Sequence, residues 1–130
     1  MRIVVLVSRL LLGLGFAVFG LNGFLQFIPA PPHIPGNAGA FSTAMMSSHY
    51  VYLTTGVQLI SGVLLLLNRY VPLALVLLAA VIVNILTFHI TMWPQSLVPF
   101  PILVTVLWFI VAWPIRAHFA PLFVQKVEAL

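Results

Sequence analysis

The stretch "PLALVLLAAVIVNILTFHITM", Pro72 to Met92, decides what kind of molecule this chain makes. It contains no Asp, Glu, Lys or Arg. At about 1.5 Å per residue, a helix of that length crosses a hydrocarbon layer of roughly 30 Å. Pro72 suits a first helical turn, where a missing N–H removes no hydrogen bond. Asn84 and His89 interrupt the apolar run. A polar group in hydrocarbon without a partner costs several kcal/mol. Asn84 and His89 therefore either tie helices together or mark a place where something binds.

The rest of the chain has the same character. Of its 130 residues, 63% are hydrophobic and 5% charged, where soluble domains carry about 25% charged residues. A single integral membrane domain over residues 1–130 is the reading. The chain has no cysteine, which excludes disulfides, thiolate metal sites and cysteine nucleophiles. Its net charge of +4 comes from scattered residues that form no basic patch, so no nucleic-acid partner is expected. The apolar run from Ile3 to Ile28 is too long for the core of a cleaved signal peptide.

Four spans are predicted, over about 8–28, 50–68, 72–92 and 98–115. Between the first two, "PAPPHIPGNAG" (Pro29–Gly39) breaks the helix. "AFSTAMMSS" (Ala40–Ser48) reads as a short helix lying at the interface. Arg2 and Arg9 stand at the start of span one, Arg69 between spans two and three, and Arg116 and Lys126 after span four. The connections Pro29–His49 and Trp93–Leu97 carry no Lys or Arg. The positive-inside tendency then puts both termini on the cytoplasmic side. The expected fold class is all-α: a four-helix membrane bundle, N-in and C-in, in the cytoplasmic (inner) membrane.

With that orientation the polar side chains gather in the outer leaflet. Asn22 and Gln26 fall in the outer third of span one. His49 stands at the outer mouth of span two, with Thr54, Gln58 and Ser61 below it. Asn84, Thr87, His89 and Thr91 lie in the outer half of span three. Gly15, Phe19, Asn22 and Gln26 share a helical face; so do Thr54, Gln58 and Ser61, and Asn84, Thr87 and Thr91. These three stripes are expected to converge, either as interhelical hydrogen bonds or as a pocket open to the outside. The candidate binding residues are Asn22, Gln26, His49, Gln58, Asn84 and His89. No metal is expected: spacing does not bring His33, His49 and His89 together, and the single carboxylate side chain, Glu128, falls on the opposite side. His118 reads as solvated. Gly13, Ala17, Gly20 and Phe24 trace a face for close helix approach, as do Gly56 and Gly62.

"SRLLLGLGFAVFGLNGF", the Pro/Gly-rich loop and "TTGVQLISGVLLLLNRYVPLALVLLAAVIVNILTFH" together resemble the DoxX-like family of small four-helix membrane proteins. The matching features are Arg9, Gly13, Phe16 and Gly20, the Gly56–x–Gln58 and Gly62–x–Leu64 pattern, and the Asn84 to His89 run. The resemblance covers roughly residues 8 to 92. Many relatives carry lysine near Gly23 and glutamate at Gln58, and both charges are absent from this chain. The resemblance implies a subunit of a larger membrane assembly linked to quinone oxidoreduction. It implies a quinone head near a histidine or amide, with walls such as Phe16, Phe19 and Phe88; without cysteine, a haem motif or a flavin fingerprint, no cofactor is expected in the chain itself. No catalytic constellation is legible, so an accessory role is expected, with the bilayer, other membrane subunits or a second copy as partners. A quinol- or lipid-binding enzyme component is the alternative, and a small-solute transporter a further one.

Overall fold

A computed structural model describes residues 1–29 and 34–128, and all the regular structure among them is helical. Helix α1 spans Arg2–Leu25, α2 Gly36–Ser47, α3 Val51–Leu67, α4 Val71–Met92 and α5 Phe100–Ala112. A 3₁₀ turn at Pro94–Ser96 follows α4, and 3₁₀ turns from Trp113 to Phe123 continue α5. Helices α1, α4 and the α5 continuation are long and apolar enough to cross a membrane, and α2 with α3 makes a fourth span if that bent pair is counted as one. The chain is a membrane protein.

The four long helices form a ring in which α1 packs on α3, α3 on α4, α4 on α5 and α5 back on α1. The α1–α3 seam is the closest. A Cβ added to Gly20 would stand 2.5 Å from the Leu59 amide nitrogen, and one added to Gly62 would stand 2.4 Å from that of Ala17. Lipid tails are as apolar as leucine, so membrane helices associate through such close packing more than by escaping solvent. Gly13 joins this seam, and Gly23 presses on Thr55. Phe24 instead turns its ring onto Tyr52, and Gly56 has only ordinary contact with Phe24.

Turn chemistry folds α4 back along α3. Asn68 takes the left-handed conformation (φ 55°), its N–H bonds Leu65 O at 3.3 Å, and the Arg69 N–H bonds Leu64 O at 3.0 Å. This pair of bonds satisfies carbonyls that the end of α3 would otherwise leave open. At this end of the bundle, the Arg69 end, lie the fully buried large side chains Leu12, Leu65, Leu75 and Leu78, with Val111 and Ala112 of α5 beside them. Trp108 Nε1 donates to Leu75 O at 2.8 Å and pins α5 to α4.

Three boundaries differ from expectation. Helix α1 starts at Arg2, not near residue 8, because Ser8 is buried and the Arg9 guanidinium donates to the Leu65 carbonyl, so a charge within the helix finds an acceptor. The short helix begins at Gly36, not Ala40: extended Pro35 precedes it and the proline-dense part of the loop ends there. It meets α3 at 84°, crossing the far end of the bundle, the α2 end. The fourth span keeps α-helical geometry only to Ala112. Beyond it Pro114 and a non-helical Ile115 divert the chain into 3₁₀ turns, with Arg116 over the Trp113 ring at 4.5 Å. Tyr50, Tyr70, Trp93 and Trp113 each flank a helix end, where interfacial aromatics belong.

Candidate functional site

A groove of about 750 Å³ opens between α3 and α4 and is roofed by α2. Its wall on α4 is a stripe at helical spacing, Leu77, Ala80, Val81, Asn84, Ile85 and Phe88, followed by His89. At about 1.5 Å per residue it runs roughly 18 Å along the helix. Tyr50, just before α3, and Leu53, Thr54 and Val57 of α3 face it, and Phe41, Ser42, Met45 and Met46 of α2 cover it. The Phe41 and Phe88 rings, 5.4 Å apart, join roof to wall. One turn below Val57 the hydroxyl-bearing Ser61 is fully buried, as is Leu78 on α4, so the groove ends where the core begins. Its polar side chains, Ser42, Tyr50, Thr54, Asn84 and His89, belong to the half nearer α2; Leu77, Ala80 and Val81 form an apolar floor.

The histidine is held by the turn that ends its own helix. His89 Nδ1 lies 2.6 Å from Ser96 Oγ, and that hydroxyl bonds the Trp93 carbonyl at 3.1 Å. The His89 ring stacks on Trp93 with centroids 6.2 Å apart and meets Phe88 edge-on. Pro94 stops α4 and turns the chain so that Ser96 returns to the helix end. Seven residues separate the two partners, with a helix end between them, so no periodicity in the sequence points to this contact.

The other candidate residues separate. Asn22 serves the end of α1: its Oδ1 accepts the Ile28 N–H at 2.7 Å, while Gln26 (φ 52°) takes the left-handed position that terminates the helix. Gln26 and His49 line a second cavity, of about 480 Å³, on the α2–α3 elbow. His49 (φ 62°) makes that elbow, a conformation histidine tolerates better than most residues, and stacks on Tyr52. Gln58 lines neither cavity. The expected convergence of three polar stripes is therefore corrected: Asn84, His89 and Thr54 share the groove, and Asn22, Gln26, His49 and Gln58 lie outside it. Phe88 is a wall, whereas Phe16 is buried in the core and Phe19 is exposed elsewhere. Among the described residues no three histidine or carboxylate groups come together; His33 lies outside the described residues.

The physical reason for the separation is local satisfaction. Asn84 Nδ2 donates to Ala80 O at 2.8 Å, Thr87 Oγ1 to Val83 O at 2.8 Å, and Thr91 Oγ1 to Thr87 O at 2.6 Å. Thr55 and Thr105 do the same on α3 and α5. Each side chain answers its hydrogen-bonding need with a carbonyl one turn back, so none of them needs a partner on another helix. The sequence reading missed the α2 roof (Phe41, Ser42, Met45, Met46) and Ser96. The roof had a signal, a mildly amphipathic segment before a span; Ser96 had none.

Compared with known proteins, the chain matches no family model, no curated protein and no solved structure.

Proposed function

We propose that this chain binds an amphiphile that enters sideways from the bilayer, head toward α2 and tail along the apolar floor of the α3–α4 groove. One observation carries the reading: a cavity of about 750 Å³ on the flank of a membrane bundle, polar at one end and aliphatic at the other. Small-molecule sites of roughly 300–1,000 Å³ are mostly apolar with a few placed polar groups. The groove lies between two spans, so a single-tailed ligand reaches it without crossing the headgroup layer. The resemblance to DoxX-like proteins makes a quinone or quinol the first candidate ligand, with His89 and Asn84 at its head. On this reading the chain is an accessory membrane subunit with four spans and both termini cytoplasmic, in the cytoplasmic membrane, and electrons are handled by a partner. The Arg and Lys distribution supports that orientation.

The test is a titration of the full chain in lipid nanodiscs with a short-tailed alkylhydroquinone, read by quenching of Trp93, which stacks on His89. Ala80 is an exposed wall residue outside the packed core. Ala80→Phe fills the groove and is expected to weaken binding more than about tenfold, the equivalent of one lost 1.4 kcal/mol contact. Unchanged affinity in that variant overturns the reading. Purification in mild detergent is expected to bring down a larger membrane partner; a lone monodisperse chain counts against the subunit role.

A further inference from the structure

The hydrogen bonds that hold His89 also decide which of its nitrogens can donate. Ser96 Oγ contacts two groups, His89 Nδ1 at 2.6 Å and the Trp93 carbonyl at 3.1 Å. A carbonyl only accepts, and a serine hydroxyl has one proton. Both contacts are hydrogen bonds only when Ser96 donates to Trp93 and His89 Nδ1–H donates to Ser96. The neutral ring is then left with Nε2 as a bare acceptor. His89 lines the groove and Ser96 does not, so the nitrogen available to the groove is the one that accepts.

Asn84 adds a second acceptor beside it. Its Nδ2 is drawn back to the Ala80 carbonyl at 2.8 Å. That commits one amide hydrogen to the helix and leaves the other free to donate, while Oδ1 has no partner among the described residues. Two residues of the groove's polar half, five apart on α4, therefore present acceptors.

Resting on the amphiphile reading above, we propose that the groove selects a head group that donates hydrogen bonds, a phenolic or alcoholic hydroxyl, over a head of the same shape that only accepts them. A hydroxyl opposite Nε2 completes a hydrogen bond. A carbonyl there sets two lone pairs against each other and leaves both acceptors desolvated and unpaired, the costly side of hydrogen-bond energetics. For a ligand that exists in two oxidation states, the chain would hold the reduced, hydroxyl form and release the oxidised one. Ser96 is the positioning residue: it touches no ligand and acts by fixing the tautomer of His89.

The experiment uses the full chain in nanodiscs at about pH 8, above the ordinary imidazole range, without oxygen. Three probes are titrated: an alkylhydroquinone, the alkylquinone of the same tail, and a monoacylglycerol, which separates a phenolic from an alcoholic source of the hydroxyl. At least about tenfold tighter binding of a hydroxyl probe than of the quinone is expected. Equal affinities overturn donor selection and leave the groove reading standing; no binding by any probe overturns the groove reading itself. Ser96→Ala is expected to bring the ratio toward one, and Ser96→Thr, which keeps the hydroxyl, to restore it. Independently of any ligand, nitrogen-15 NMR of the imidazoles, assigned with His89→Gln, is expected to show Nδ1 protonated and Nε2 bare. The opposite tautomer overturns the inference.

Discussion

Helix α3 meets its two neighbours in opposite ways. Against α1 it presents Thr55, Leu59 and Gly62, and the backbones close until no side chain fits between them. Against α4 it packs tightly only near the Asn68 turn, and toward α2 it leaves a groove of about 750 Å³. What differs is side-chain size: glycines at the crossing points on one side, and Tyr50, Leu53 and Val57 on the other. In water an open apolar trough on a small protein would be an aggregation hazard. In a membrane, lipid tails can fill it, so on the proposed reading the bundle keeps one seam shut for stability and one open for a ligand.

The seam is the place to break that contrast most sharply. Gly20→Leu drives a side chain into Leu59 and Thr55 backbone, and overpacking of this kind costs about 3 kcal/mol. Unfolding in a detergent titration, or a thermal midpoint in nanodiscs, measures it. Gly15 is the control, because a Cβ there meets nothing within 4 Å. Gly15→Ala is expected to be neutral or to gain up to about 1 kcal/mol from helix propensity. Equal losses at both positions would mean that α1 and α3 do not meet along this line.

Arg9 tests the closed end next. Its guanidinium donates to Leu65 O in the last turn of α3, a carbonyl that also receives the Asn68 N–H, at the helix end that carries partial negative charge. Arg9→Met keeps the length and apolar stem of the side chain and removes the donor. A loss of about 2 kcal/mol is expected, in the range for hydrogen bonds from charged groups, with no change in ligand affinity at the distant groove. A variant as stable as the original would mean that Arg9 simply reaches the interface.

The fold was largely legible because its signals are strong and local. Apolar runs nearly free of charge mark the spans, prolines mark the breaks, and Arg69 and Pro72 mark where α3 gives way to α4. The boundaries that moved depend on distant partners: Arg9 continues α1 because Leu65 receives it, and no window around Arg9 contains that fact. The candidate site was legible in part. Asn84 and His89 stood out as polar residues in hydrocarbon, and both line the groove. The expectation that all such residues converge assumed that each needs a partner on another helix. Asn22 and Gln26 instead end α1, His49 turns an elbow, and Asn84 bonds its own backbone. Helical periodicity shows which residues share a face, not whether a carbonyl four residues back has already satisfied them.

Ser61 marks the boundary between the two regions, one turn below the groove on α3. It is fully buried, and its hydroxyl has no hydrogen-bond partner among the described residues. An unsatisfied buried hydroxyl is destabilising relative to a methyl of similar size. Ser61→Ala is therefore expected to raise stability by about 1 kcal/mol, read in the same detergent titration. A loss of that size would show that the hydroxyl is bonded, and that the groove reaches a turn deeper than Val57.

Asn84→Leu asks the smallest question in energy and the one that separates the two uses of a polar residue in a membrane. Were Asn84 interhelical glue, its removal would cost roughly 0.6 kcal/mol on average and up to about 1.7. Its amide donates to Ala80 of its own helix, and the residue is exposed on the groove wall. Leucine there loses one local bond to a carbonyl that keeps its helical donor, and gains a side chain that favours both helix and lipid. The expected change in stability is within about 0.5 kcal/mol of zero, the range for substitutions away from packed features. Binding of a hydroxyl-bearing amphiphile, in contrast, should weaken, because the groove loses an acceptor without losing its shape. A stability loss above about 1 kcal/mol with affinity intact would return Asn84 to the role of a helix tie, leaving His89 as the one residue of the opening pair that serves a ligand.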